Sequence, residues 1–334
     1  MKKKPTMQQI ANALNITPIT VSRALNDREG VSEELKEKIK KYAYETGYLT
    51  KDTTKKNTPS RPVNIILLVA EVFIKTDNKF YIDFYKKILD SLEENSAFGI
   101  LKIIEEQEVE ELAIPKLLLG DNIDGMIILG ELPSEYVHAL AKLNLPTILL
   151  DFYDEDLLLD SVVNDNFFEA YEMTRYLITK GHRDIAFVGN INSTHSIQDR
   201  YLGYYKALLR SGITVKKDFI ISDRTRNGSY EDLILPSPLP TAFVCNCDQI
   251  AFQLAQDLLS KGIQIPEDCS IASFDNSKFS TSCTPQLTTM DPNLDDMVKA
   301  CVSNLLKKIA QPNLKTGVVA VKGTLIERES VREI

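Results

Sequence analysis

One short segment near the start of the chain carries hydroxyl, amide and guanidinium groups at helical spacing. Residues 17–26 read Thr-Pro-Ile-Thr-Val-Ser-Arg-Ala-Leu-Asn, and Val21, Ala24 and Leu25 fall on one face of such a helix. The polar groups left on the other face are Thr17, Thr20, Ser22, Arg23 and Asn26. These groups donate hydrogen bonds to phosphates and to base edges, and one α-helix fits the major groove. The segment therefore predicts a DNA-reading helix.

Capping signals place two helices around this segment. Thr6 followed by Gln9 fits a capping box, so we expect a first helix from about residue 7 to 14. Thr17 is suited to cap the second helix, and Pro18 is suited to its first position because its missing N–H would be unpaired there. The short stretch between residues 14 and 17 leaves room only for a tight turn.

A third helix completes the predicted head of the chain. Ser32 caps it, Glu33 and Glu34 occupy its first turn, and Gly47 ends it. Residues 1–62 hold thirteen Lys and Arg against seven Asp and Glu, a net charge of +6, which leaves −14 for the rest of the chain. A basic head on an acidic body favours phosphate contact by the head. A lysine-rich solvated terminus and a protein-docking module are the alternatives.

The bulk composition is that of a globular protein of two or three structural units. The 334 residues are 43% hydrophobic and 26% charged, with no apolar run of membrane-spanning length, so we expect a cytosolic protein. The five cysteines form no C-x-x-C pair, which favours buried free thiols over a metal site. The three histidines accompany no recognisable nucleophile, and no glycine-rich phosphate loop is present. We therefore expect no catalysis, no metal and no cofactor.

From Val63 onward the sequence alternates apolar strands with amphipathic helices. Such alternation predicts parallel sheets covered by helices on both faces, and the two series predict two lobes. The predicted elements of the first series are strands 63–70, 100–104, 125–129 and 147–151 and a helix 81–96. Those of the second are helices 165–180, 198–211 and 248–261 and strands 184–189, 219–222, 241–245 and 270–274.

Three charged residues stand where a parallel sheet binds ligands. Asp151 follows one strand, Asp275 follows another, and Arg200 is expected to open a helix after the strand ending at Gly189. Two carboxylates and a guanidinium offer paired hydrogen bonds to vicinal hydroxyls, as a sugar requires. The structural alternatives are a loop cap for either Asp and a salt bridge for Arg200.

The chain resembles the LacI/GalR family of bacterial repressors. The head matches the family string I-A-x-x-x-x-V-S-x-x-T-V-S-R-x-L-N over residues 10–26, and residues 181–189, 200–203, 274–276 and 285–289 of the body are similar to fixed points of the family's effector domain. The resemblance implies a lambda-repressor-like helix-turn-helix head, all α, and an α/β body of the type I periplasmic-binding-protein fold, with two doubly wound lobes. Residues 77–81 and 150–153 are similar to the branch that controls galactoside genes.

The resemblance also implies roles in DNA binding. Pro18 and Ile19 would occupy the variable base-reading positions, where apolar side chains favour a thymine methyl, and Arg23 would reach a base. The residues that would hold phosphates are Thr17, Thr20, Ser22 and Asn26, and we add Thr6 from the first helix start.

The implied domain limits leave an unusual linker. They are 1–49 for the head, 50–62 for the linker, 63–162 with 291–323 for the N-terminal lobe, and 163–290 with 324–334 for the C-terminal lobe. Where relatives carry a hinge helix whose Leu enters the minor groove, this chain has Thr50, Lys51, Thr54, Lys55 and, at the Leu position, Asn57. This linker should be flexible or extended, and operator DNA should be bent less.

For the effector, the resemblance assigns ligand contacts to Asp151, Arg200 and Asp275. Cys247 stands where many relatives have a polar contact, and Arg224 stands where some have a stacking aromatic. An arginine there could favour an anionic effector, although the sequence favours a surface position for Arg224. Three aromatic residues could stack on the ligand or pack in the core instead: Phe73, Phe80 and Tyr81.

The predicted function is a ligand-responsive transcriptional repressor of sugar genes, with a sugar or sugar phosphate as effector. Two heads on a symmetric homodimer would address a palindromic operator in double-stranded DNA. The alternatives are an activator or a regulator that needs a corepressor, a sugar-binding protein, and a sugar-processing enzyme with a fused head. We expect no membrane partner.

Overall fold

The computed structural model describes residues 7–25, 31–46, 48, 62–75, 80–120, 122–157, 159–225 and 228–334. It divides into two compact units, residues 1–61 and 62–334. The predictions for Thr6, Asn26 and Gly47, and those for linker residues 50–61, lie outside the described residues, as does the side chain of Ile19.

In the residues that the structure describes, the first unit contains three helices at the predicted places. They are α1 (Met7–Leu14), α2 (Pro18–Leu25) and α3 (Glu33–Glu45). Two of the three predicted caps lie in the described residues and both are present, since Thr17 accepts a hydrogen bond from the Thr20 backbone N–H and Ser32 accepts one from that of Leu35. The fully buried core side chains are Ile10, Ala11, Val21, Ala24, Ile39 and Ala43. Because that core uses the inner face of α2, its polar face is turned away from the core.

In the described residues, the second unit contains two sheets of six strands each. The first sheet contains β1 (Val63–Ala70), β2 (Ala97–Ile104), β3 (Gly125–Leu129), β4 (Thr147–Leu150), β5 (Ser161–Asn164) and β11 (Val318–Val321). The second contains β6 (Ile185–Val188), β7 (Ile220–Ile221), β8 (Ala242–Cys245), β9 (Ser270–Phe274), β10 (Thr288–Asp291) and β12 (Thr324–Ile326). The helices are α4 (Glu71–Lys75), α5 (Phe80–Glu94), α6 (Glu106–Glu110), α7 (Ser134–Ala141), α8 (Asn166–Thr179), α9 (His195–Arg210), α10 (Asp248–Ser260), α11 (Lys278–Ser282) and α12 (Leu294–Ala310).

Both sheets are parallel in the described pairs except where β12 runs antiparallel to β10. Their orders are β11-β5-β4-β3-β1-β2 and β12-β10-β9-β8-β6-β7. Each sheet with its helices forms a lobe, called here the first and the second lobe. The chain passes between the sheets after β5, after β10 and between β11 and β12. The predicted two-lobed α/β architecture is confirmed.

Apolar burial on both faces of the sheets explains their nearly continuous hydrophobic strands. On one face of the first sheet α5 and α12 pack together, with Phe84 and Leu305 fully buried, and on the other face α7 buries Tyr136. In the second lobe α8 and α9 approach so closely that a Cβ at Gly203 would collide with the Phe167 carbonyl oxygen. All five cysteines are buried and free, as predicted. Among the described helices none combines the length and apolarity needed to cross a bilayer.

Two details of the predicted second lobe are wrong. The helix after β6 begins at His195, capped by Thr194, so Arg200 lies inside it and does not open it. The strand predicted over 219–222 has only two residues, Ile220 and Ile221, because Phe219 belongs to a 3-10 turn before it.

Candidate functional site

The outer face of α2 presents most of the groups predicted to bind DNA. Thr17 and Arg23 are exposed, and Pro18, Thr20 and Ser22 are partly exposed. The Thr17 and Thr20 hydroxyl oxygens lie 2.9 Å apart, so the two side chains form one polar edge at the helix start. This edge and the guanidinium of Arg23 together offer the donors that a phosphate and a base edge require.

In the second unit, Arg200 is the centre of a buried polar network. Its Nε donates to Oδ1 of Asn166 at 2.8 Å, its Nη1 donates to the Asn246 carbonyl, and its Nη2 lies 3.3 Å from Oδ1 of Asp275. The guanidinium also stacks on the Phe274 ring at 4.5 Å. Arg200 and Asp275 are therefore brought together as predicted, and the salt bridge raised as the alternative role for Arg200 is present.

Asp151 faces this network from the first lobe. Tyr81 donates its phenolic hydrogen to Oδ2 of Asp151 at 2.8 Å. Burial raises the pKa of Asp151 to about 6, the Tyr81 hydrogen bond and Arg200 lower it, and the negative charges of Asp275 and Glu131 raise it. Burial is also the main reason that the pKa of Asp275 is raised. The cleft between the two lobes thus contains two buried carboxylates. A hydroxyl group or a cation that bound there would be a favourable additional partner for them.

Both carboxylates stand on strained backbone. Asp151 has φ of 72° and Asp275 has φ of 101°, in the left-handed region that non-glycine residues avoid. Each lies immediately beyond the carboxyl end of a strand, β4 or β9. Such strain persists where the surrounding structure imposes it, and it concentrates at ligand sites. The backbone therefore turns each carboxylate out of its strand and into the cleft.

The three candidate aromatic residues separate into two groups. The rings of Phe73 and Tyr81 lie 4.5 Å apart over Gly130, where a Cβ would come within 2.8 Å of Phe73 and 3.0 Å of Tyr81. Gly130 also has φ of 79°, so glycine serves both the turn and the close approach. Phe80 instead packs edge-on against Phe84 at 5.7 Å, on the core side of α5. Tyr81 contacts the cleft carboxylate Asp151 directly, Phe73 packs on the Tyr81 ring, and Phe80 also meets that ring edge-on at 5.2 Å.

Arg224 is held rigidly beside the network, and the alternative of a surface arginine is wrong. Its side chain is 14% exposed and contacts Oδ2 of Asp223 through Nε at 2.8 Å and Nη2 at 2.7 Å. Nη2 also donates to Oδ1 of Asn246 at 3.0 Å, and the guanidinium stacks on Tyr230 at 4.8 Å. Its charge is therefore already matched by Asp223, which weakens the expectation of an anionic effector.

Cys247 lies next to this arginine, with its Sγ 4.0 Å from Nη2 of Arg224. The thiol is mostly buried, and burial raises its pKa to about 11. Cys247 therefore stays protonated and offers only a weak hydrogen-bond donor to a ligand.

The two lobes touch at the mouth of the cleft, through residues that were not among the predicted ligand contacts. His195 of the second lobe donates its backbone N–H to Oε2 of Glu131 at 2.9 Å, and its Nδ1 lies 3.0 Å from Oε1. Tyr153 of the first lobe packs on the His195 ring at 4.7 Å and donates to Asp199 at 3.4 Å. The sequence signals for these residues are the positions of Glu131 and Tyr153 just beyond β3 and β4 and, for Tyr153, its place in the 150–153 segment that resembles the galactoside branch.

A buried carboxylate also joins two of the segments that cross between the lobes. Glu169 accepts hydrogen bonds from Nδ2 of Asn164 at 3.1 Å and from the Gly323 backbone N–H at 2.6 Å. Asn164 ends β5, and Gly323 lies between β11 and β12. Burial raises the pKa of Glu169 to about 7. These contacts tie the segment that crosses after β5 to the one that crosses between β11 and β12.

The raised pKa of Asp151 leads to a testable pH dependence. Because its folded pKa of about 6 lies above its ordinary 3.8, the stability that this carboxyl contributes is full below 3.8 and is lost as pH rises through 6. The isosteric variant Asp151→Asn cannot ionise, so we expect it to be about 1–2 kcal/mol more stable than the wild type at about pH 8, and no more stable at about pH 4. Urea unfolding at both pH values measures this, and a destabilised variant at the higher pH would refute it.

Comparison with protein families gives two matches. The family described as "Bacterial regulatory proteins, lacI family" matches residues 6–51, and the "Periplasmic binding protein-like domain" matches residues 174–331. The first match includes all of α2, and the second contains Arg200, Arg224, Cys247 and Asp275.

Named relatives align with nearly the whole chain. The probable HTH-type transcriptional repressor ExuR of Bacillus subtilis is 25% identical over 98% of this chain and 99% of ExuR. The HTH-type transcriptional regulator RegA of Clostridium saccharobutylicum is 27% identical over 97% of this chain and 98% of RegA.

Solved structures share the fold. A complex of the transcriptional regulator CelR with cellobiose has a TM-score of 0.70 at 22% identity, over 98% of this chain and 100% of CelR. An Enterococcus faecium LacI family regulator with bound ribose has a TM-score of 0.66 at 25% identity, over 81% of this chain and 99% of that protein. The lac repressor dimer bound to operator and the anti-inducer ONPF has a TM-score of 0.66 at 21% identity, over 99% of this chain and 100% of that protein.

Proposed function

Because the chain belongs to the LacI family of bacterial regulatory proteins, we propose that it represses sugar-utilisation genes and releases its operator when a sugar binds between the lobes. It is a DNA-binding transcriptional regulator, and the proposal concerns its effector, its oligomeric state and its place of action. We infer that it acts in the cytoplasm, where operator DNA lies.

The convergence of Asp151, Arg200 and Asp275 is the observation that carries the effector proposal. The two carboxylates come from different lobes; Arg200 contacts Asp275 at 3.3 Å, and its positive charge lowers the pKa of Asp151. A polyhydroxyl ligand can accept from the guanidinium and donate to both carboxylates, so it satisfies the cleft without adding charge. Since the ligand would bind both lobes, it would favour their closed arrangement.

Closure changes DNA affinity only if the closed and open states hold the two heads differently. For this reason we propose a homodimer, whose twofold axis matches a palindromic operator. The lac repressor, which has a similar fold, binds its operator as a dimer, and this supports the proposal. A ligand then weakens DNA binding by as much as it prefers the DNA-incompetent state.

A screen for effectors tests the proposal. Neutral sugars and sugar phosphates are added to the full chain in a thermal-shift assay, and each sugar that stabilises it is titrated into a complex with operator DNA. We expect at least one neutral sugar to weaken operator binding, with no effect on an Arg200→Ala chain. If stabilising sugars leave operator affinity unchanged, the effector proposal is wrong, and if they strengthen it, the protein is a corepressor-dependent regulator.

The linker sequence gives a second prediction about the operator complex. With Asn57 in place of the Leu that relatives insert into the minor groove, the cost of unstacking a base step has no apolar wedge to offset it. We therefore expect the operator to be bent less than by a family member with that Leu, and Asn57→Leu to increase the bend. Energy transfer between dyes at the two operator ends measures this, and equal bending by both chains would contradict it.

A further inference from the structure

A cavity of about 460 Å³ lies at the mouth of the cleft, apart from the charged cluster. The residues that line it are Glu131, Asn190, Ile191, Asn192, Ser193, Thr194, His195 and Gln198. Neither Asp151, Arg200 nor Asp275 is among them, so a single ring held by those three residues leaves this space unfilled. The volume is within the range of small-molecule sites.

The wall of the second lobe connects the charged cluster to this cavity. Arg200 donates to the Asn246 carbonyl, and the Asn246 side chain accepts from Arg224 at 3.0 Å. Asn190 then donates from Nδ2 to the Arg224 carbonyl at 2.7 Å, and its backbone N–H donates to Asp223 at 2.8 Å. Asn190 is a cavity residue, so one continuous hydrogen-bonded surface runs from the deep cluster to the mouth.

The cavity lining is suited to uncharged hydroxyl groups. Asn192 and Gln198 carry primary amides, Ser193 and Thr194 carry hydroxyls, and Ile191 adds an apolar side chain that can contact the C–H face of a ring. Glu131 is paired with His195, whose Nδ1 lies 3.0 Å from Oε1 of Glu131, and this contact raises the pKa of His195. Amides and hydroxyls both donate and accept, as a second sugar ring would require.

We propose that the effector has at least two sugar rings, one held by Asp151, Arg200 and Asp275 and the second seated in the mouth cavity. This rests on the proposed function and specifies its ligand. Glu131 comes from the first lobe and the other lining residues from the second. The second ring therefore touches both lobes, and it adds directly to the free-energy difference between their open and closed arrangements.

Binding of matched sugars to the full chain tests this. Galactose, glucose, lactose, melibiose and cellobiose are titrated calorimetrically into the wild type, Gln198→Ala and Gln256→Ala. We expect at least one disaccharide to bind tenfold or more tightly than either of its component sugars. Gln198→Ala should weaken that disaccharide at least threefold and leave the monosaccharides within twofold. Gln256 is exposed on α10 outside the cavity lining, so its alanine variant should match the wild type.

Three results would overturn the proposal. Disaccharides that bind no tighter than monosaccharides would show that the second ring gains no contacts, and Gln198→Ala weakening both classes equally would show that Gln198 does not act on the second ring alone. If either of these results were found and monosaccharides still released operator DNA, the proposed function would stand and only the two-ring proposal would be wrong. If none of the five sugars binds, this proposal is wrong whether or not another sugar class releases the operator.

Discussion

Replacing Arg200 with alanine is expected to destabilise the second unit by about 3–5 kcal/mol and to abolish the response to sugar. Arg200 is 8% exposed, and its guanidinium serves Asn166, the Asn246 carbonyl and Asp275 together. Removing it leaves a buried carboxylate without its cation and an amide and a carbonyl without their donor. Urea unfolding followed by far-UV circular dichroism measures the stability, and operator release by the sugar found in the screen measures the response.

Two further variants separate this role from a general effect of losing an arginine. Arg210→Ala removes an exposed arginine at the end of the same helix, and we expect less than about 0.5 kcal/mol of change and a normal response. Arg200→Lys keeps the charge but cannot make the same three contacts, so it should fold better than Arg200→Ala and still respond poorly. If Arg200→Ala unfolded at the wild-type urea concentration and still released operator with sugar, the assignment of Arg200 would be wrong.

Replacing Arg23 with alanine is expected to lower operator affinity about 10- to 100-fold. This loss corresponds to the free energy of one specific base contact. Arg23 is exposed on α2, while Val21 and Ala24 beside it are fully buried, so truncating it should leave the head folded. Because a base contact carries sequence information, affinity for scrambled DNA should fall much less. Fluorescence anisotropy with operator and scrambled duplexes at the same salt concentration measures the ratio.

The matched control removes the same charge from another helix of the head. Lys41 is exposed on α3, and Lys41→Ala should weaken operator and scrambled DNA by similar, modest factors if its effect is electrostatic. If Arg23→Ala lowered binding to both duplexes equally, Arg23 would be a phosphate contact, and the base-reading role assigned to it would be wrong.

Local signals account for how well the head was predicted from the sequence. The starts of α2 and α3 follow from caps within a few residues, Thr17 on the Thr20 N–H and Ser32 on the Leu35 N–H. Helical periodicity assigned Val21 and Ala24 to the core, and both are fully buried. Each of these signals acts over at most one or two helical turns, so no distant contact is needed to interpret it.

In the body, the sequence by itself predicted strands at the places of β1–β4 and β6–β9 but not β5, β10, β11 or β12, and it placed Asp151 and Asp275 just beyond two strands. Alternation of apolar strands with amphipathic helices allows few arrangements other than covered parallel sheets. The sequence misplaced the start of α9. Thr194 can cap this helix only because the loop before it turns at that point, and the sequence does not show that turn. The ligand-contact roles of Asp151 and Asp275 remain predictions.

Only the tertiary structure decided how these residues meet. The left-handed backbone at Asp151 and Asp275, the burial of Arg224 against Asp223 and Tyr230, and the contact of Glu131 with His195 depend on segments far apart in the chain. The sequence favoured a surface position for Arg224, since an arginine is buried only when a partner from the fold offsets its desolvation. Sequence patterns record local propensity, whereas partners for buried charges are supplied only when the sheets and helices pack.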